Sequence, residues 1–251
     1  MEPGMALLLA GAGLIGGIAN AIAGGATLIT FPAMMAAGLP PIMAHAANAV
    51  AVTPGHALAG FADREKLPPL AGLFGWSLLT TLIGGVIGGI LLLVTPERVF
   101  SNLVPVLIGG ATIIFGFAPQ IQALAARFRI GQGASTGPVA IGVASIYGGY
   151  FGGGLGVILM AVLGVTTTND LRTNNAIKNI LASVVSFATM VIFIAQGLIG
   201  WTETLIMLVG TVSGGFLGGR LIRILPAWAI RNVVIVAGAV LTLIYAYRTW
   251  F

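Results

Sequence analysis

Long apolar runs with almost no polar interruption set the pattern of this chain. With a span of about 20 residues as the unit, three full-length transmembrane candidates fall in each half. In the first half they cover 43–61, 70–94 and 98–118, and in the second half 171–197, 202–224 and 228–248. Each trio is preceded by an apolar stretch, 5–38 or 136–164, that is broken by glycines at Gly24-Gly25 and at Gly152-Gly153-Gly154. The breaks are expected to cut each stretch into two short pieces. Hydrocarbon offers no hydrogen bonds, so a turn at membrane depth survives only where protein or a watery cavity satisfies it. Paired interruptions at matching places in two halves point to a transporter's binding site.

The halves also match in detail. Gly84-Gly85-Val86-Ile87-Gly88-Gly89 returns as Gly214-Gly215-Phe216-Leu217-Gly218-Gly219, 130 positions later, and at the same offset Pro96 meets Pro226 and Asn102 meets Asn232. Asn48-Ala49-Val50 corresponds to Asn175-Ala176-Ile177. The expected architecture is an all-α polytopic membrane protein with two inverted repeats, 1–118 and 136–251. Each is a glycine-broken helical hairpin followed by three transmembrane helices, and a polar cytoplasmic linker, 119–135, joins them.

Charge orients the repeats. Lys and Arg concentrate in cytoplasmic loops. With the linker inside, Arg64, Lys66, Arg127, Arg129, Arg172, Arg220, Arg223 and Arg231 fall inside and only Arg98 and Arg248 fall outside. This places both termini in the periplasm and requires an odd number of crossings per half, the broken stretch supplying two short crossings or a re-entrant hairpin. The 7% content of charged residues is far below the roughly 25% of a soluble domain. Scattered basic residues without a cluster give no reason to invoke nucleic acid. No Lys or Arg precedes Arg64, so a cleavable signal peptide is not expected.

Candidate chemistry centres on an intramembrane cation. Lys178 follows Asn174 and Asn175 by one turn in a segment that runs on apolar to Ile194. An ionisable residue inside a span is a functional hypothesis by default. Its natural ligand is an oxyanion, with Lys178 as point charge and the carboxamides as donors; the competing reading is a lysine that snorkels to the headgroups. Helix starts after Gly25 and Gly154 would add main-chain N–H groups and a positive dipole end, with Thr27 adding a hydroxyl. Glycine also serves plain helix packing, the preferred reading for Gly84, Gly85, Gly88, Gly89 and their partners. In the first half the equivalent helix carries His45 and Asn48 on one face, with His56 further on and no lysine. Tyr147 and Tyr150 flank the second break. The expected substrate-binding set is therefore Lys178, Asn175, Asn174, Asn48, His45, Gly24, Gly25, Thr27, Gly152, Gly153, Gly154 and Tyr150. No catalytic residue, metal ligand set or cofactor is expected. No Asp or Glu lies in the interior of a span, Asp170 and Glu203 standing at span ends, two histidines cannot build a three-histidine zinc site, and cysteine is absent.

Two stretches carry a family resemblance. Gly24-Gly25-Ala26-Thr27-Leu28-Ile29-Thr30-Phe31-Pro32, followed by Gly38-Leu39-Pro40-Pro41, Ala47-Asn48-Ala49 and Pro54-Gly55, resembles the TauE/SafE sulfite exporter family, also called the 4-toluene sulfonate uptake permease family. Tyr147-Gly148-Gly149-Tyr150-Phe151-Gly152-Gly153-Gly154-Leu155-Gly156 with Asn175-Ala176-Ile177-Lys178-Asn179 looks like its second signature. The resemblance implies transport of a small sulfur-containing anion, such as sulfite, sulfoacetate or another organosulfonate, across a bacterial inner membrane. Both import and export are attributed to the family. A passive anion channel and a membrane subunit of a larger transport assembly stay open as alternatives, as does assembly into a homo-oligomer.

Overall fold

The computed structural model describes residues 2–22, 25–127, 136–221 and 227–251. Gly24, the linker positions Arg129, Gln132 and Ser135, and Arg223 and Pro226 lie outside the described residues. Among the described residues the chain is all-helical. Its helices are α1 (Pro3–Ile22), α2 (Thr27–Ala36), α3 (Pro41–Ala62), α4 (Leu73–Val94), α5 (Glu97–Gly116), α6 (Ala118–Arg127), α7 (Thr136–Tyr150), α8 (Leu155–Thr166), α9 (Leu171–Ala195), α10 (Trp201–Leu221) and α11 (Ala227–Trp250).

The six expected full-length spans are α3, α4, α5, α9, α10 and α11. Among the described residues five helices are long and apolar enough to cross a membrane, α1, α4, α5, α9 and α11, so α3 and α10 of the expected six fall outside this set. The first of the five corrects an expectation. The stretch before Gly25 is not a short piece, because α1 has 20 residues and runs about 30 Å at 1.5 Å per residue. Within the two broken stretches α2 and α8, with 10 and 12 residues, are half-length, and α7 has 15. The linker differs too: its first part is helix α6, which buries Ala118 and Ala125 and packs against α8.

Glycines bring pairs of helices into backbone contact. α1 lies along α10, and α7 lies along α4. In the α4–α7 crossing, Gly84 faces the carbonyl of Gly142, Gly88 that of Ile146, and Gly149 that of Gly85. In the α1–α10 crossing, Gly13 faces the Met207 carbonyl, Gly17 that of Thr211, and Gly214 that of Leu14. Lipid tails are as apolar as leucine, so such close van der Waals contact, rather than a hydrophobic difference, is what joins helices in a bilayer. Hydroxyls add cross-links: Thr80 donates to the Pro138 carbonyl at 2.7 Å and Thr211 to the Ala51 carbonyl at 2.6 Å.

The remaining contacts place α3 against α9 and α5 against α11, with α4 touching α9 and α10 touching α3. α3 and α9 thus form the middle of the bundle, and the half-helices α2 and α8 pack on them. Large apolar side chains such as Phe216, Val236, Leu243 and Phe187 are exposed on the outside, as a lipid-facing surface requires.

Candidate functional site

The two breaks meet at one cavity. It measures about 60 Å³ and is walled by Gly25 and Thr27 of the first break, by Gly148, Phe151, Gly152, Gly154, Leu155 and Gly156 of the second, and by side chains of α3 and α9 between them. Gly25, Gly152 and Gly154 have φ of 89°, 75° and 75°, a region that glycine enters without a Cβ clash. The second turn is also held from the side. The Tyr147 hydroxyl donates to the Gly153 carbonyl at 2.6 Å, and the Leu155 N–H returns to the Gly152 carbonyl at 3.2 Å. Leu155 and Gly156, the opening residues of α8, therefore bring the positive end of that half-helix to the cavity wall.

From α3 come His45, Asn48, Ala49, Val52 and His56, spaced so that one helical face lines the space. Asn48 is buried and tied to α2: its Oδ1 accepts from the Thr30 hydroxyl at 2.5 Å, and its Nδ2 is 3.5 Å from the Thr27 hydroxyl. With its carbonyl oxygen engaged, the carboxamide turns donor hydrogens toward Thr27 and the cavity. His45 is 4% exposed, and its Nδ1 has no partner among the described residues. Four phenylalanines surround its ring. Phe151 stacks on it at 6.1 Å between centroids, and Phe31, Phe100 and Phe193 meet it edge-on at 5.8–6.4 Å.

From α9 come Ala182, Ser186 and Thr189. Sequence reasoning passed over Ser186 and Thr189. The Thr189 hydroxyl bonds back to its own helix at Val185, as hydroxyls in membrane helices commonly do, so its type and position raise no alarm. Their spacing from Ala182, four and seven residues on, was the available signal.

Lys178 stands one turn before Ala182 and does not line the cavity. Its Nζ donates to Asn175 Oδ1 at 2.8 Å, and its stem passes beside Gly156, where an added Cβ would lie 3.6 Å from Lys178 Cδ. Asn174 turns away from the lysine: its Oδ1 accepts from the Thr167 hydroxyl at 3.0 Å. Of the expected set, Gly25, Thr27, His45, Asn48, Gly152 and Gly154 share the cavity. The Lys178 stem lies beside Gly156 of its wall, whereas Asn175, Asn174, Gly153 and Tyr150 do not border it.

α9 begins at a firm cap. The Asp170 carboxylate accepts from the Thr173 N–H at 2.7 Å, and that bond holds its pKa below the ordinary 3.8. Beside it, Arg172 reaches Asp63 at 3.0 Å, linking the start of α9 to the end of α3.

Comparison with known proteins bears on this arrangement. A family profile described as "Sulfite exporter TauE/SafE" matches residues 9–245, almost the whole chain and both breaks. The chain belongs to this family. A "Probable membrane transporter protein" of Haemophilus influenzae is 26% identical over 241 residues, covering 95% of this chain and 94% of that one. "Probable membrane transporter protein YfcA" of Escherichia coli K12 is 26% identical over 230 residues, covering 91% and 85%. "Probable membrane transporter protein ORF9" of a Sinorhizobium species is 25% identical over 245 residues, covering 92% and 88%. No solved structure matches. As a TauE/SafE protein, the chain is a multi-pass membrane transporter.

Proposed function

We propose that this TauE/SafE protein is a secondary transporter that carries a compact sulfur oxyanion, sulfite in preference to a bulky organosulfonate, across the bacterial inner membrane by alternating access. The observation that carries this reading is the meeting of both glycine breaks with Asn48, His45, Thr27 and Ser186 at a single small cavity. Among the described residues every polar side chain there is a hydroxyl, carboxamide or imidazole, no carboxylate borders it, and the stem of Lys178 passes beside Gly156 of its wall. An anion is the ligand that such a set stabilises.

Size selects among sulfur anions. At about 60 Å³ the cavity has room for about two waters, each with a share of about 30 Å³. A sulfur with its oxygens fits that room, and an aromatic sulfonate needs several times as much.

Pairing among the helices supports the two inverted repeats, 1–118 and 136–251. Exchanging α1 to α5 with α7 to α11 maps the α1–α10 contact onto α7–α4 and the α4–α9 contact onto α10–α3, while α3–α9 and α5–α11 map onto themselves. The charge distribution supports periplasmic termini. Phe31, Phe100, Phe151 and Phe193 pack around His45, and Leu155, Leu159 and Leu181 pack where α8 meets α9, so packed apolar side chains flank the cavity, which supports alternating access over an open pore.

Thermal unfolding of the detergent-purified protein tests the reading, with sulfite, sulfoacetate, taurine, toluenesulfonate, sulfate and chloride as ligands. Sulfite is expected to raise the melting temperature, and the rise is expected to disappear in Asn48→Ala and Lys178→Ala. Stabilisation by toluenesulfonate but not sulfite would refute the size argument. No response to any sulfur anion would refute the substrate class.

A further inference from the structure

A second cavity lies further along α8 and α9, and no role has been given to it. It measures about 350 Å³ and is bounded by Pro68, Pro69 and Ser77 on one side and by Gly137, Thr166, Thr167 and Ile177 on the other. Thr168 and Asn169 are exposed and border it. By the same measure as above it has room for about a dozen waters.

Both α8 and α9 run from one cavity to the other. On α8, Leu155 and Gly156 border the small cavity, and Leu163 and Thr166 the large one. On α9, Ile177 borders the large cavity, and Ala182 the small one. Gly156 to Leu163 is about 10 Å at 1.5 Å per residue, so less than two helical turns separate the spaces. That interval is filled by Leu159 and Leu181, both 0% exposed. On α9 Lys178 falls within that interval and Asn174 one turn before it, and each has a contact toward a different cavity. Asn174 bonds Thr167 of the large cavity, while the Lys178 stem lies beside Gly156 of the small one.

We propose that the larger cavity is the cytoplasmic vestibule of the transport path, that it takes the anion still hydrated, and that the Asn174–Lys178 turn with Leu159 and Leu181 is the gate where the anion sheds its water. This proposal rests on the reading of the small cavity as the anion's binding site. The difference in size supports it, since the vestibule holds an oxyanion with a hydration shell and the inner cavity holds the bare ion. An anion stripped of water needs replacement donors at the crossing point. The Lys178 ammonium has three donor hydrogens and commits one to Asn175. Its position at the gate explains why a cation inside the membrane stands beside the binding cavity and not within it.

The native chain has no cysteine, so a single one reports cleanly. Ser77→Cys, and Thr166→Cys in parallel, place a thiol in the vestibule wall outside the binding cavity. Each protein is treated with N-ethylmaleimide in detergent, freed of excess reagent and divided for two readouts: sulfite-induced thermal shift, and sulfite uptake after reconstitution into liposomes. The expected result is a labelled protein that keeps the thermal shift and loses uptake. Uptake unchanged after full labelling would overturn the path, and failure of both cysteines to label would show that the cavity is not an open vestibule. Loss of the thermal shift on labelling would overturn the separation of the two cavities. Absence of a sulfite response in the unmodified protein would bring down the anion reading itself, and the vestibule with it.

Discussion

Adding one methyl group at Gly149 should cost this protein far more than adding one at Gly110, although both are glycines in helix interiors. A Cβ built on Gly149 points at the Gly85 carbonyl and lies 3.0 Å from the Gly89 nitrogen and 3.1 Å from the Gly85 carbonyl carbon. Non-bonded carbon contacts are comfortable at about 3.5–4.0 Å, so α7 and α4 must separate by roughly half an ångström or more. The opposing atoms are all backbone, and no rotamer change relieves them. Overpacking of this kind costs about 1–3 kcal/mol. At Gly110 the added Cβ meets nothing within 4 Å. Alanine there is expected to stabilise by about 0.4–1 kcal/mol through the unfolded chain. At about 2–4 °C per kcal/mol for a chain of this length, the two variants should melt on the order of 3–16 °C apart. Tryptophan fluorescence during thermal unfolding in detergent reads the difference, and the chain has four tryptophans to report it. Gly17→Ala should behave like Gly149→Ala, because its Cβ meets the Thr211 carbonyl and lies 2.8 Å from the Gly215 nitrogen. Melting of Gly149→Ala within about 1 °C of Gly110→Ala would refute backbone contact as the basis of the crossing.

Asn48→Ala removes a donor to a charged ligand, worth about 1.5–3 kcal/mol, so calorimetric titration should show sulfite binding roughly 10- to 150-fold weaker; affinity within about threefold of the parent would count against Asn48 as a ligand. Tyr147→Phe deletes the bond to Gly153 and should lower stability by about 0.5–1.5 kcal/mol, read as a lower melting temperature with the fold intact by circular dichroism. Asp170 has a folded-state pKa below 3.8, so its cap contributes stability above that ordinary value and loses it as pH falls through the lowered one. The melting gap between the native protein and Asp170→Ala should therefore narrow as the medium is acidified, and a gap independent of pH would show that the carboxylate is not what caps α9.

The spans were legible because a bilayer imposes length and apolarity together, and α4, α5, α9 and α11 all answer to that signal, whereas α3 and α10 form as long helices without reaching it among the described residues. The breaks were legible because glycine pairs stand out against leucine and valine. α1 was harder. The break at Gly24-Gly25 implied two short pieces, yet α1 runs 20 residues up to it, with Gly13 and Gly17 serving the close approach to α10. Which polar residues share a cavity depends on how α9 is rotated about its axis, and sequence carries little of that. Asn174 and Asn175 are neighbours of one type, but one turns to Thr167 and the other to Lys178. The offset of Lys178 from the cavity depends on a few ångströms of helix register. His45 was legible as a polar residue in an apolar setting; its ring of four phenylalanines, drawn from α2, α5, α9 and the second break, was not.

The crossed pairing of helices has a consequence for how the protein is made. α1 finds its glycine-lined partner in α10, and α4 finds its partner in α7. When the ribosome reaches the linker, neither Gly13 and Gly17 nor Gly84 and Gly88 has anything to dock against. The first half must wait in the bilayer as loosely associated helices, and the contacts that define the fold close only once α7, and later α10, have been inserted. A gene cut within the linker should therefore yield two silent products when they are expressed apart, and a working protein when both are inserted into the same membrane.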